Sequence, residues 1–112
     1  MATKSIVKAI TLRGHDVATI DAWTLLFPGG LPHPCFLIRF ANQSNVNVFV
    51  KYDTENNAHD IVRANNDLVL YLQTNSRESG LTANFAKGTP IYVRAQEQQG
   101  VGYIWFTAYY QI

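Results

Sequence analysis

The chain has 112 residues, of which nine are Lys or Arg and eight are Asp or Glu, so its formal net charge is +1. This length suits one domain with a single core. The near-neutral charge provides no basic field that would attract a phosphate backbone, which argues against nucleic acid as the main partner. Charged residues make up only 15% of the chain, less than the typical value of about 25%, so the surface is easy to bury against neighbouring molecules.

The N-terminal part predicts a strand followed by one helical turn. Apolar side chains alternate over residues 5–12, which is the period-two pattern of a strand. Gly14 and His15 interrupt this alternation, and Asp16 is a suitable N-cap for a short helical turn that ends at Ile20.

The next segment allows two interpretations. Its apolar spacing fits both an amphipathic helix over residues 17–26 and a strand over residues 23–27 that begins at Trp23. We favour the strand, because Pro28 opens a loop rich in proline and glycine that ends the apolar run.

Two hairpins are predicted further along the chain. The first joins a strand over residues 36–40 to a strand over residues 46–52 through the polar turn at residues 42–45. The second joins residues 91–95 to the C-terminal strand at residues 101–110. Shorter strands are expected between them, at residues 58–62, 68–72 and 81–85.

The C-terminal strand is apolar on both faces. Ile104, Phe106 and Ala108 alternate with larger aromatic side chains that include Tyr103 and Trp105. A strand with one wet face would instead alternate apolar with polar residues. At least one face of this strand therefore needs a covering layer.

These patterns predict an all-β fold. About eight or nine short strands with frequent turns and almost no helix are typical of a β-sandwich. We expect one antiparallel β-sandwich domain over residues 1–112, jelly-roll-like or Greek-key, with at most one short helical turn. Its predicted core consists of Phe36, Ile38, Phe40, Val48, Val50, Leu70, Ile91, Val93, Ile104 and Phe106.

Catalytic and metal-binding patterns are not found in the sequence. His15, His33 and His59 lack the spacing of metal ligands. Cys35 is the only cysteine, which excludes an intrachain disulfide and a thiolate-rich metal site. Without a base partner, Cys35 is expected to be a small buried side chain at the start of a strand. We predict no enzyme activity, no catalytic residue, no cofactor and no metal.

The N-terminal sequence bears on where the protein is made. A lysine interrupts the first eight residues where a signal peptide would have its apolar core. No apolar run approaches the roughly 18 residues of a membrane span. We therefore expect no secretion signal and no membrane partner.

A candidate interface lies on the outward face of the second predicted hairpin. Its residues are Tyr92, Arg94, Tyr103, Trp105 and Tyr109. Tyr, Trp and Arg are enriched at interface hot spots, so we predict that this face forms a homo-oligomer. The same side chains would also stack on sugar rings. Alternatively, this face is the core side of the sheet, or both faces are covered within the domain.

The chain resembles the small β-sandwich virion structural proteins of tailed bacteriophages. The resemblance rests on a strand, a helical turn at residues 15–20, a second strand, the loop Pro28-Gly29-Gly30 and the strands that follow it. The segment at residues 87–94, followed by Gly102-Tyr103-Ile104-Trp105, resembles the end of such proteins. The resemblance implies a non-enzymatic capsid decoration, head–tail or tail component, assembled in the host cytoplasm with other virion proteins.

The sequence also leaves two other classes of protein open. A carbohydrate-binding module would use Trp105, Tyr103 and Tyr92 as a platform for a glycan. A small hydrolase would need a pair of carboxylates or histidines that converge in a pocket.

Overall fold

The computed structural model describes residues 7–55, 57–71 and 85–111. Two antiparallel sheets pack against each other as a sandwich, which confirms the predicted fold class. The only helical element of the described residues is a 3₁₀ turn at Val17–Thr19. The strands are β1 (Val7–Ala9), β2 (Arg13–Asp16), β3 (Thr24–Leu25), β4 (Leu37–Ser44), β5 (Val48–Lys51), β6 (Asp60–Val62), β7 (Asp67–Tyr71), β8 (Tyr92–Ala95) and β9 (Gly102–Gln111).

The two sheets divide the strands almost equally. The five-stranded sheet has the order β1-β9-β4-β7, and β2 also pairs with β9. The four-stranded sheet has the order β3-β8-β5-β6. β9 is the organising strand of the first sheet, because β1 and β2 cover one of its edges and β4 covers the other.

The core lies between the sheets and consists of the side chains that alternate inward. Phe106 is at its centre, with ring centroids 5.2 Å from Phe27 and 5.1 Å from Phe40. Nine of the ten predicted core residues are buried. The exception is Leu70, which is half-buried and packs against the core from β7.

The helical turn begins where the sequence predicts. The Asp16 carboxylate accepts a hydrogen bond from the Ala18 amide at 2.9 Å, which caps the 3₁₀ turn. The segment that follows forms the short strand β3, so the alternative helix over residues 17–26 is wrong. Ile20 and Leu26 are fully or nearly fully buried, because both ends of this segment pack into the core.

The first predicted hairpin is wrong. β4 lies in the five-stranded sheet and β5 lies in the four-stranded sheet, so the chain crosses from one sheet to the other between Ser44 and Val48. A hairpin and a crossing produce the same alternation of apolar residues, because both strands present one face to the same core. The buried side chain of Asn42 stabilises the crossing, since it bonds the Ser44 amide at its start, the Val46 carbonyl within it and the Val62 carbonyl of β6.

The second predicted hairpin is also wrong. β8 pairs with β3 and β5, whereas β9 pairs with strands of the opposite sheet. The connection between them passes through Gly100, which is buried against Val17 and Val46. A Cβ added at Gly100 would lie only 2.8 Å from Val46 and 2.9 Å from Val17. The chain therefore crosses the end of the sandwich where a side chain does not fit.

The N-terminal strand is broken in two. Ala9 pairs with Tyr109 and Arg13 pairs with Phe106, so one extra residue lies on the N-terminal side of the ladder. This is the count of a β-bulge. The bulge brings Leu12 beside β9 on the outer face. β2 occupies a segment that the sequence predicted as an interruption.

The remaining predicted strands are partly covered by the structure. β6 lies within the strand predicted at residues 58–62, and β7 begins at Asp67, one residue before the strand predicted at residues 68–72. Residue 72 and residues 81–84 lie outside the described residues. Phe85 forms an isolated bridge with Cys35.

Candidate functional site

The structure divides the predicted interface between two surfaces. Tyr103, Trp105 and Tyr109 lie on the outer face of the five-stranded sheet, opposite the core side chains of β9. Tyr92 and Arg94 lie on the outer face of the four-stranded sheet, opposite the buried Val93. The prediction of one continuous patch is therefore wrong, because it depended on a hairpin that does not form.

Trp105 lies along the surface of the five-stranded sheet. Its six-membered ring covers Gly14 of β2 so closely that a Cβ there would be 2.5 Å from the indole. On the other side of β9, the indole Nε1 donates a hydrogen bond to Oε1 of Gln43 on β4, at 3.1 Å. The Tyr103 ring is 5.7 Å away with an interplanar angle of 23°. Gly14 and Gln43 thus hold the indole along the sheet.

A shallow groove of about 270 Å³ lies beside Trp105. It runs across β9 and β4 on the outer face, and the side chains around it are both apolar and polar. Arg39 at its margin forms an ion pair with Asp67 of β7, with 2.9 Å between Nη2 and Oδ2. The lining residues are Leu12, Arg39, Ala41, Gln43, Trp105 and Thr107.

The same outer face exposes large apolar side chains. Six such side chains of the described residues are exposed, and five of them belong to this face: Val7, Leu12, Val69, Tyr71 and Tyr103. Val69 pairs with Arg39 and Tyr71 pairs with Leu37, which places both on the groove side of the sheet. The sandwich has its own core, so this apolar area does not contribute to the interior of the domain.

The outer face of the four-stranded sheet has a different chemistry. Lys51 Nζ lies 4.7 Å from the centroid of the Trp23 ring and 4.8 Å from that of Tyr92. Arg94 Cζ lies 5.2 Å from the Trp23 ring and 5.4 Å from the Phe49 ring. These five residues, Trp23, Phe49, Lys51, Tyr92 and Arg94, form what we call the cation–aromatic cluster.

Most of the residues of either surface were not predicted from the sequence. Trp23 and Lys51 were not assigned to a site, although Phe49 and Lys51 alternate with the buried Val48 and Val50 and so must face outward. The contacts of Gly14 and Gln43 with the Trp105 indole were not predictable from the sequence, because the strands that bear these residues are distant from one another along the chain.

The histidines do not form a catalytic pair. His59 Nδ1 accepts a hydrogen bond from the Tyr52 amide at 3.0 Å, and its Nε2 is 3.4 Å from Asp53. Asp60 accepts instead from the Tyr52 hydroxyl, at 2.7 Å. Burial, followed by the hydrogen bond to Asp60 and its negative charge, raises the pKa of Tyr52. These contacts join the two ends of the loop between β5 and β6.

Burial also shifts the pKa values of His15 and Cys35. His15 has its pKa lowered by burial and, secondarily, by the charge of Arg13. Burial raises the pKa of the Cys35 thiol to about 11, and Cys35 is the small buried side chain that the sequence predicts. In the part of the chain that the structure describes, no group of three or more His, Cys, Asp or Glu side chains is placed to hold a metal ion.

The chain matches no model of a known protein family, no curated protein and no solved structure. Over residues 7–55, 57–71 and 85–111, no helix is long and apolar enough to cross a membrane.

Proposed function

We propose that this protein is a non-enzymatic virion structural protein of a tailed bacteriophage and that it works by assembly with copies of itself and with other virion proteins. The observation that carries the assembly is the concentration of exposed apolar side chains on the outer face of the five-stranded sheet. Contiguous apolar patches on a folded domain are typical of protein–protein contacts. The phage setting rests on the resemblance of the chain to small sandwich proteins of such particles.

The chemistry of the outer face supports an interface. Tyr103 and Trp105 offer large rigid rings that lose little conformational entropy when they are buried. The Arg39–Asp67 ion pair and the Gln43 amide lie beside them, as polar groups border the apolar centre of typical interfaces. A second copy of the chain is the simplest partner for such a face.

Removing the two aromatic side chains tests this proposal. The variant Tyr103→Ala with Trp105→Ala should be less associated than the natural chain in light scattering over a range of concentrations, with an unchanged circular dichroism spectrum. Val101→Ala is the control, because Val101 is 70% exposed but does not line the groove. A natural chain that stays monomeric at all concentrations and does not attach to the particle would contradict the proposal, as would a double variant that assembles normally.

A carbohydrate-binding module is the second candidate, and one observation favours it. The Trp105 indole lies along the sheet beside a groove whose polar side chains include Arg39, Gln43 and Thr107. An aromatic surface next to a few polar groups suits a sugar ring, which has one apolar face and a rim of hydroxyls. A monomer that binds glycans on an array and loses binding in Trp105→Ala would favour this function over assembly.

A further inference from the structure

We infer that the cation–aromatic cluster is a second contact site, which binds an aspartate or glutamate side chain of an acidic partner polypeptide. This site lies on the sheet opposite the proposed assembly face, and the inference does not depend on that face. Among the described residues, no carboxylate pairs with the buried Lys51 ammonium or with the half-buried Arg94 guanidinium.

The geometry of the cluster holds both cations in place. Trp23 is shared, since Lys51 Nζ lies 4.7 Å and Arg94 Cζ lies 5.2 Å from the centroid of its ring. Tyr92 provides a second ring for Lys51, and Phe49 provides one for Arg94. Each cation–ring contact is favourable, so the rings fix the positions of the charges without neutralising them.

No carboxylate of the described residues pairs with either cation. The ion pairs there are Arg39–Asp67 and His59–Asp53. Lys51 is 4% exposed and donates a hydrogen bond to the Glu55 backbone carbonyl. Arg94 Nε is buried and has no acceptor. Buried cations are normally paired, and a buried unsatisfied donor in a folded protein calls for an explanation.

A carboxylate would supply the negative charge that no described residue provides beside the cluster. A guanidinium donates to a carboxylate through two parallel N–H groups, and an ammonium adds a third donor. The surrounding aromatic rings exclude water, which strengthens such a contact. Arg, Trp and Tyr are also the residue types that dominate binding at protein interfaces.

The surrounding charge favours one carboxylate over a nucleic acid strand. The shallow pocket next to Phe49 is lined in part by Asp60, and Asp53 lies near it through the His59 contact. A strand of phosphates that crossed this face would meet these negative groups. A single acidic side chain needs only the two cations, whereas a phosphate backbone needs a continuous basic track.

Titration of the full chain with an oligoglutamate peptide tests the inference by two-dimensional NMR. At low salt, the indole N–H of Trp23 and the Nε–H of Arg94 should shift and saturate, while the indole N–H of Trp105 stays in place. Oligolysine should cause no shift, and an oligothymidine strand should bind more weakly than oligoglutamate. Absence of saturable shifts at Trp23, or tighter binding of oligothymidine, would overturn the inference.

Two matched substitutions locate the binding on the cluster. Arg94→Gln should weaken oligoglutamate binding about tenfold or more, whereas Arg63→Gln, at an exposed arginine outside the cluster, should leave it unchanged. Lys51→Met keeps the length of the side chain and should weaken binding in the same way. Equal effects of Arg94→Gln and Arg63→Gln would overturn the inference, because they would indicate a general charge effect.

A stability measurement separates this site from a purely structural role. If the cations serve a partner, Arg94→Gln should lower peptide affinity at a temperature where the variant is fully folded, although the loss of its two ring contacts also lowers the thermal midpoint of the isolated protein. A fall in the midpoint with unchanged peptide affinity would mean that Arg94 serves only the fold. The Tyr103 and Trp105 variants should bind oligoglutamate normally, so failure of the proposed assembly face and failure of this site are distinguishable.

Discussion

Asn42 holds the crossing between the two sheets together. Its side chain is 1% exposed and uses all of its hydrogen-bonding atoms. Nδ2 donates to the carbonyls of Val46 and Val62, at 2.9 Å and 3.0 Å. Oδ1 accepts from the amide and the hydroxyl of Ser44, at 3.1 Å and 2.6 Å. The polar backbone groups that a crossing would otherwise bury without partners are satisfied in this way.

Replacing Asn42 with alanine should therefore destabilise the protein more than the small size of the deleted side chain suggests. Asn42→Ala leaves buried carbonyl groups and the Ser44 donors without their partner, which costs about 2–3 kcal/mol of unfolding free energy. Asn57→Ala is the control, since Asn57 is exposed and should change stability by less than about 0.5 kcal/mol. Urea denaturation measures both, and equal effects would contradict the structural role of Asn42.

Gly14 allows a prediction about Trp105. An alanine Cβ at this position would lie 2.5 Å from the indole, so Gly14→Ala should displace the ring while the fold persists. We expect the indole N–H resonance of Trp105 to move and to lose its bond to Gln43, while that of Trp23 stays in place. Oligomer formation should weaken with it. An unchanged Trp105 resonance would show that the indole does not lie over Gly14.

The buried thiol of Cys35 should make the protein less stable in alkaline solution. Burial raises the pKa of its thiol from the ordinary 9.0 to about 11. Between these values the unfolded chain loses the proton first, so the unfolding free energy falls as the pH rises and is fully retained below the lower value. Tyr52, whose pKa is raised mainly by burial, adds a fall in the same direction.

The variant Cys35→Ala isolates the contribution of the thiol. Its unfolding free energy should decline less steeply than that of the natural chain between pH 9.0 and about 11, as measured by urea denaturation at several pH values. The remaining slope belongs in part to Tyr52. Parallel curves for the two proteins would contradict the burial of the thiol, as would rapid reaction of folded Cys35 with a thiol reagent at neutral pH.

At the scale of the element, β9 separates core from surface. Phe106 is 1% exposed and contacts Phe27 and Phe40 across the core, whereas Tyr103 is 47% exposed on the opposite face. Both side chains belong to one strand and differ only in the face that they occupy. A strand with two apolar faces can therefore serve the fold with one face and a partner with the other.

Two alanine variants of β9 test this division. Phe106→Ala should lower the free energy of unfolding by about 3–5 kcal/mol, because it removes a buried ring and leaves a cavity. Tyr103→Ala should change the stability of the monomer by less than about 1 kcal/mol. Chemical denaturation of both variants at low protein concentration measures the difference. A large loss in Tyr103→Ala would mean that the outer face belongs to the fold.

At the scale of the whole molecule, the sandwich has two outer faces of unlike chemistry. The outer face that holds the groove and the exposed apolar side chains belongs to the five-stranded sheet, and the cation–aromatic cluster belongs to the four-stranded sheet. Two such faces on opposite sides would let one copy contact two different neighbours. The small share of charged residues, 15% of the chain, agrees with a surface that is covered in an assembly.

The strand order predicts which backbone amides are protected from hydrogen exchange. β4 and β9 are paired along both edges in the five-stranded sheet, as are β5 and β8 in the four-stranded sheet. All three residues of β1 are exposed. Amide hydrogen exchange should therefore be slowest in the four central strands and faster in β1. Equally slow exchange in β1 of the isolated monomer would contradict this strand order.

Local sequence patterns were enough to predict which side chains of most strands face the core. Period-two alternation predicted the buried faces of β4, β5, β8 and β9, and the buried residues Ile38, Val50, Val93 and Phe106 follow that pattern. The cap at Asp16 was predictable for the same reason, since both signals are local. The sequence of one strand defines its inward face where the two faces differ in polarity. β9 is apolar on both faces, so the structure was needed to choose the face of Ile104 and Phe106 over that of Tyr103.

The pairing of the strands, in contrast, could not be predicted from the local pattern. A strand that continues into a hairpin and one that crosses to the opposite sheet have the same inward alternation, so the pattern does not distinguish them. Pairing depends on distant packing, such as Gly100 against Val46 and the polar network of Asn42. The predicted interface was divided for this reason, because the position of Arg94 relative to Trp105 follows from the pairing and not from the local sequence.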